Sequence, residues 1–485
     1  MTAKRISLRR SAITALLLLS SSIPGLARAE TLQGALGRAY RFNPTLTGAR
    51  AGQRATDESV PIQKAAGRPN AGASAEFQEL LLRPANNFIS PHRSASASAS
   101  VNVPIYSGGA VRNGVKAAKK RVEAGRADLR ATEASIFAQV VAAYMDVIRD
   151  AAIVSLNLAN VKVLDVNLQA TNDRFEVGDL TRTDVAQSES RLALARSDLQ
   201  TAQANLIGSR ENYIALVGTA PDDLAPPPAL PGLPATPDLA VQVALADNPD
   251  IQSAQKASEA ARYDVRVARA GSLPTLSGFT QGSYTNYFDN DLAVNKQVAV
   301  GVTANLPLYQ GGRPAAQVRQ AQALQSRAME QEIGVERGVI AQARAAYASW
   351  QASTLTIQSS QKAVDAANLS LEGVRAENSV GSRTILDILN AEQEALIANV
   401  ELVSARRNAY VAGFSLLAAM GHAEAKDLGL DGGALYDPVV NYDRVKGKWF
   451  DWDHDPKPVP VATRTVDSPA QNANVSLTAQ QPRGE

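Results

Sequence analysis

The side chains best suited to metal or acid–base chemistry in this 485-residue chain are three histidines, His92, His422 and His454. They fall in a predicted loop and in C-terminal coil, at spacings that do not converge on an ion. There is no cysteine, which excludes disulfides, thiol catalysis and a lipid anchor on a lipobox cysteine. The stretch GAVRNGVK from Gly109 imitates a phosphate loop, but Val115 stands where lysine must follow the glycine, and its repeat has Gln317 for Gly114. The sequence therefore points to no enzyme, no cofactor and no metal site. Two aspartates remain, Asp184 and Asp387, at matched positions in or near predicted first helical turns, where the helix dipole favours a carboxylate.

The matching arises because the chain is two copies of one unit. VPIYSGG at Val103 and LPLYQGG at Leu306 are 203 residues apart, and the same offset carries Tyr144 to Tyr347, Gly178 to Gly381, Asp184 to Asp387 and Gly218 to Gly421. Upstream, Asn43-Pro44 matches Asn248-Pro249 and Pro69 matches Pro274 at 205. The change of offset places a loop of variable length between Pro69 and Val103.

Bulk composition agrees with elongated helices. Hydrophobic residues make up 45% but aromatics only 5%, a balance that favours long, closely packed helices over an ordinary globular core. The formal charge of +2 calls for no nucleic acid. Lys4, Arg5, Arg9 and Arg10, an apolar run to Leu19 and Ala27-Arg28-Ala29 read as a signal peptide over 1–29, so the chain is expected to be exported. No later apolar run is long enough for a transmembrane helix, and any membrane crossing must use strands.

From Gly109 to Gly178 the chain has no proline, predicting a helix of ~100 Å. Val147, Val154, Val161 and Leu168 recur every seven residues, as do Trp350, Ile357, Val364 and Leu371, a coiled-coil spacing. Helices of roughly 57 Å follow to Gly218 and Gly421. Helices of similar length, about Leu32 to Gly67 and Pro237 to Ala270, precede the strands. Two short helices end to end thus match one long helix in each copy.

Four segments interrupt the helices: about 71–82, 94–104, 275–288 and 297–307. In RSASASASVNVP serines fall on one face and alanines on the other; the second copy sets Val298, Val300 and Val302 against Gln297, Thr303 and Asn305. This period of two suits a membrane strand with a lipid face and a wet face. Phe88, Tyr106, Tyr284, Tyr287, Phe288 and Tyr309 are candidate interfacial residues. Four strands cannot close a barrel, so chains must share one; a dimer would supply eight strands and a trimer twelve.

Paired hairpins, long helices and duplication resemble the TolC family of outer-membrane efflux and secretion channels. The resemblance rests on FEVGDLTRTDVAQSESRL at Phe175, NSVGSRTILDILNAEQEAL at Asn378, the two P-x-Y-x-G-G junctions and ALYDPVVNYDRV near Tyr436. It implies a mainly α fold with membrane β: a homotrimer with a twelve-stranded barrel in the outer membrane, continued by an α-helical periplasmic tunnel. The repeats would span 30–218 (tip turn about 176–182) and 238–421 (tip turn about 379–383). The proline-rich 219–237 and the segment 422–455 would form an equatorial band, and 456–485 a disordered tail.

The resemblance further implies a passive exit duct of a tripartite efflux pump or type I secretion system. Its partners would be a periplasmic adaptor, an inner-membrane ABC, RND or MFS transporter, and outer-membrane lipid. By motif, Arg383 would bond to Thr183 and Asp184 and hold the tip shut. Asp387 would line a ring of carboxylates at the entrance, with Asn390 where members often carry a second aspartate and Asn378 replacing an aromatic. The alternative is a periplasmic coiled-coil adaptor or helical scaffold, which would usually have one long hairpin flanked by small β domains.

Overall fold

The computed structural model describes residues 29–82, 92–288, 294–430 and 435–475. The expected signal peptide and Phe88 lie outside the described residues. In chain order the elements are α1 (Leu32–Phe42), α2 (Pro44–Asp57), α3 (Ser59–Ala65), β1 (Asn70–Glu79), β2 (Arg93–Ser107), α4 (Ala110–Glu176) and α5 (Arg182–Val217). They are followed by α6 (Pro237–Asp247), α7 (Pro249–Ala270), β3 (Thr275–Tyr287), β4 (Asn295–Asn305), α8 (Arg313–Ser379), α9 (Ile385–Met420) and α10 (Pro438–Val445).

Each long helix, α4 and α8, has 67 residues and so extends about 100 Å. Each starts after a Gly-Gly pair in the left-handed region, with φ of 62° and 86° at Gly108 and Gly109. A Cβ at Gly108 would stand 2.9 Å from the Ala270 carbonyl oxygen, so both backbone angle and space demand glycine there. Toward the tip α4 pairs with α5, and α8 with α9; toward the sheet α7 packs against both α4 and α8.

The helices expected over Leu32–Gly67 and Pro237–Ala270 are each broken at Asn-Pro. A residue before proline is driven out of the helical region, while proline suits the first helical position. Asn43 and Asn248 accordingly adopt extended angles and cap the next helix, Asn43 Oδ1 accepting from Thr45 N and Asn248 Oδ1 from Asp250 N. Their Nδ2 groups reach across to a carbonyl at the end of another helix, Asn43 to Leu216 O and Asn248 to Ala419 O, both at 2.9 Å. The break is thus a repeated joint.

The strands form one antiparallel sheet in the order β1-β2-β3-β4. Register sets Ser74, Ser98, Ser283 and Gln297 in one row, with Ser74 Oγ 2.9 Å from Ser98 Oγ, and Ala75, Ala97, Tyr284 and Lys296 in the next. Cross-strand partners share a face, so the serine/alanine ladder continues across all four strands as a polar and an apolar face. Val298, Val300 and Val302 are more than 60% exposed on the apolar face. Phe77 and Phe288 meet at one end of the sheet, with ring centroids 6.3 Å apart; Tyr106 and Tyr309 are exposed at the other. Boundaries differ from expectation: β1 stops at Glu79, and β2 continues to Ser107 through an irregularity at Pro104–Tyr106.

The largest core lies at the equator, where α1, α4, α5, α9 and the interrepeat linker meet around Tyr40, Phe137, Tyr144, Tyr213 and Phe414. Tyr144 Oη donates to Ala225 O at 2.6 Å, and its repeat partner Tyr347 donates to Ala235 O at 2.8 Å. One tyrosine from each copy therefore fastens the proline-rich linker. Within the segment expected to be a disordered tail, residues 471–475 pack against α5 and the equatorial core.

Candidate functional site

The tip of the first repeat turns at Gly178 (φ 85°) and that of the second at Gly381 (φ 80°), left-handed positions that let the last carbonyls of α4 and α8 accept from the turn. The Gly178 and Asp179 N–H groups donate to Phe175 O and Arg174 O; those of Gly381 and Ser382 donate to Asn378 O and Glu377 O. Each turn is also closed by an arginine–carboxylate pair, Arg174 Nε to Asp179 Oδ2 at 2.9 Å and Arg383 Nε to Glu377 Oε2 at 2.7 Å.

Asp184 and Asp387 occupy the same place in the two repeats. Both complete capping boxes: Asp184 Oδ2 accepts from Thr181 N at 2.9 Å, and Asp387 Oδ2 accepts from Thr384 N at 2.9 Å. The threonine hydroxyls donate to the same oxygens at 2.7 and 2.8 Å. The Thr181 hydroxyl and backbone N–H hold the Asp184 carboxyl below the usual carboxylate range; the backbone and hydroxyl of Thr384, with Arg383 nearby, do the same for Asp387. Helix capping is therefore what these aspartates do within one chain.

The sequence-derived contact of Arg383 with Thr183 and Asp184 is not formed within one chain. Arg383 is engaged by Glu377, which raises its pKa further; Thr183 is exposed at the second position of α5. Asn378 supports the turn by donating to Arg383 O at 2.8 Å. Asn390 accepts from Arg191 at 2.7 Å, joining α9 to α5. Beside that bond Leu389, only 2% exposed, packs with Leu164, Leu192 and Ala195. Farther from the tip Arg407 of α9 grips both oxygens of Asp146 on α4, at 2.8 and 3.2 Å.

Sequence reasoning missed Arg191, Leu389 and the Asp146–Arg407 pair, because none stands out within its own helix. Their roles arise where one coil meets the other. No group of residues suited to a metal ion occurs among the described residues, and no described helix is long and apolar enough to cross a membrane.

Both tip turns are closed by polar bonds between exposed side chains. Tip bonds of this kind, charged but open to water, contribute little individually and exchange readily.

Known proteins agree with this architecture. A family model described as outer membrane efflux protein matches residues 35–219 and 240–422, one match per repeat. The chain is 35% identical over 426 residues to outer membrane efflux protein BepC of Brucella suis, covering 87% of this chain and 92% of that one. It is 27% identical over 441 residues to outer membrane protein TolC of Escherichia coli, covering 86% and 88%. Among solved structures, the CmeC outer membrane channel of Campylobacter jejuni superposes with a TM-score of 0.73 at 16% identity, over 86% of this chain and 89% of that one. With both repeats matched and the sheet, long helices and tip turns in place, the chain belongs to the outer membrane efflux protein family.

Proposed function

We propose that this outer-membrane exit duct works as a homotrimer, opened at its periplasmic tip by partner proteins. The observation that carries the reading is the four-stranded sheet with one polar face, one apolar face and two open edges, β1 and β4. Unpaired strand edges are not viable in lipid. Joining β4 of each chain to β1 of the next closes twelve strands with the polar face inward and the valine–alanine face against outer-membrane lipid. The long helices then continue the lumen into the periplasm.

At the tip, Arg383 exchanges Glu377 for Thr183 and Asp184 of the closed assembly, and the Asp387 carboxylates ring the entrance. Three like charges at a constriction attract cations; Asn390 adds polar lining without charge. A periplasmic adaptor seats between the coils, and an inner-membrane transporter of the ABC, RND or MFS type supplies energy and substrate choice. The polar tip bonds support this reading, since each is weak enough for a docking partner to displace.

Mass determination and bilayer conductance on one detergent-purified sample test both parts. A heat-dissociable trimer with a small resting conductance is expected, and Arg383→Ser is expected to raise that conductance severalfold. A conducting species of another stoichiometry would overturn the trimer. An unchanged conductance in a folded Arg383→Ser assembly would remove Arg383 from the gate.

A further inference from the structure

The segment Gln471–Val475 is held by its main chain. Arg210 of α5 donates through Nη1 to Asn472 O and through Nη2 to Asn474 O, the latter at 2.9 Å. Next to it Glu211 accepts from the Gln471 N–H at 3.0 Å. One arginine–glutamate pair thus engages three backbone groups, with a longer contact from Arg210 Nη1 to Asn472 Oδ1 at 3.4 Å, and so fixes the peptide chiefly by its main chain. Burial alternates along the segment: Gln471, Ala473 and Val475 are half-buried, and Asn472 and Asn474 are exposed. Ala473 and Val475 pack on the equatorial core. Val475 also borders a cavity of about 430 Å³ whose wall includes Ala151 and Ser155 of α4 and Pro226 of the linker.

The connection leading there is mostly exposed, with Thr463 lying against Gly218 at the end of α5. Asp455 is anchored by Arg444 at 2.6 Å, but among the described residues 456–470 make no hydrogen bond to the helices. A short tether of this kind keeps its end at an effective concentration near millimolar, enough to fill a weak site and still release it.

We propose that Arg210, Glu211 and the adjoining apolar groove form a peptide-docking site on the periplasmic part of the duct. Its occupant is this chain's own Gln471–Val475, held in cis and able to leave and rebind. Arginine suits the task because its planar fork spans two carbonyls and cannot be deprotonated. Burial lowers the Arg210 pKa, so filling the groove with carbonyl acceptors offsets the desolvation of the guanidinium.

The test uses a fluorescent peptide spanning residues 469–475, added to the detergent-purified full-length protein and to a variant ending at Ser468. Binding to the shortened protein should be at least about tenfold tighter than to the full-length one, and Arg210→Ala in the shortened protein should abolish it. Equal affinity for both proteins, or binding indifferent to Arg210→Ala, would overturn the proposal. A second measurement keeps the chain intact. Because the sequence has no cysteine, Glu211→Cys with Gln471→Cys reports tail position by oxidation. A crosslink within one chain is expected; a crosslink between chains would overturn docking in cis and assign the tail to a neighbouring copy. Failure of these experiments leaves the duct and its gate untouched, since neither depends on Arg210.

Discussion

The equator and the tip of this molecule are built from the same helices yet held by different physics. At the equator, Phe137, Tyr144, Tyr213 and Phe414 are essentially inaccessible, and the hydroxyls and amides of the joint find buried or half-buried backbone acceptors. At the tip, the turns are closed by exposed arginine–carboxylate pairs and by threonine–aspartate caps. Buried contacts fail together and at high energy, whereas exposed ones break singly. Under the proposed gating, a duct that opens at one end without losing its shape needs both kinds.

The largest effect is expected from Phe137→Ala, which empties a fully buried site next to Tyr40, whose ring centroid lies 6.2 Å away. A loss of about 3–5 kcal/mol is expected, read as a fall in the denaturant midpoint with little change in conductance of the surviving folded protein. An altered single-channel conductance at unchanged stability would erase the division between the two regions.

Leu389→Ala probes the boundary between them. It removes the apolar knob that docks α9 on Leu164 and Leu192 beside the Arg191–Asn390 bond. The site lies near the helix ends and can partly collapse, so a stability loss at the lower end of the usual range, about 2 kcal/mol, is expected. The sharper expectation is a higher resting conductance, because this contact joins the two coils. If conductance stays at the wild-type level, the coils are held together elsewhere.

Thr181→Ala and Thr384→Ala each remove a capping hydroxyl, with an expected loss of about 1 kcal/mol in the stability of the first turns of α5 and α9. Amide hydrogen exchange should accelerate at those turns and remain unchanged around Tyr144. Acceleration at both would show that the tip and equator unfold as one unit.

Acid should separate the regions most gently. Asp184 and Asp387 have folded pKa values below the usual carboxylate range, so their capping contribution is complete above about pH 3.9. It is lost as pH falls through the lowered folded values. Glu133 at the equator is shifted the other way: burial raises its pKa, opposed by its bond from Ala425 N at 2.6 Å. Its protonated form is favoured in the fold, so its contribution is complete below about pH 4.3 and lost as pH rises through the raised value. Mild acid should therefore slow exchange around Ala425 before it speeds exchange at the tip turns. Glu133→Gln should remove the first effect and leave the second.

Much of the tip was legible beforehand, because caps and left-handed turns are local. Gly178 and Gly381 end their helices through φ alone, and a threonine three residues before an aspartate already marks a helix start. The partner of Arg383 was not legible. Glu377, Asp387 and the neighbouring coil are all within reach of an exposed arginine, and sequence carries no distance between coils. Nor did composition foretell the course of residues 471–475: a Pro-, Ser- and Asn-rich segment with few apolar residues ordinarily lacks the burial to order itself. Here the ordering comes from Arg210 and Glu211, which act on its backbone.

The sequence by itself determined the duplication, the lengths of α4 and α8, the two-faced strands and the glycine turns, because each is a matter of period or backbone angle within a few residues. Only the tertiary structure decided that Asn43 and Asn248 reach the carbonyls of Leu216 and Ala419, that Tyr144 and Tyr347 fasten the linker, and that Arg191 meets Asn390. Those pairs are separated by 80 residues or more, and what unites them is the packing of one element against another, which no local pattern encodes.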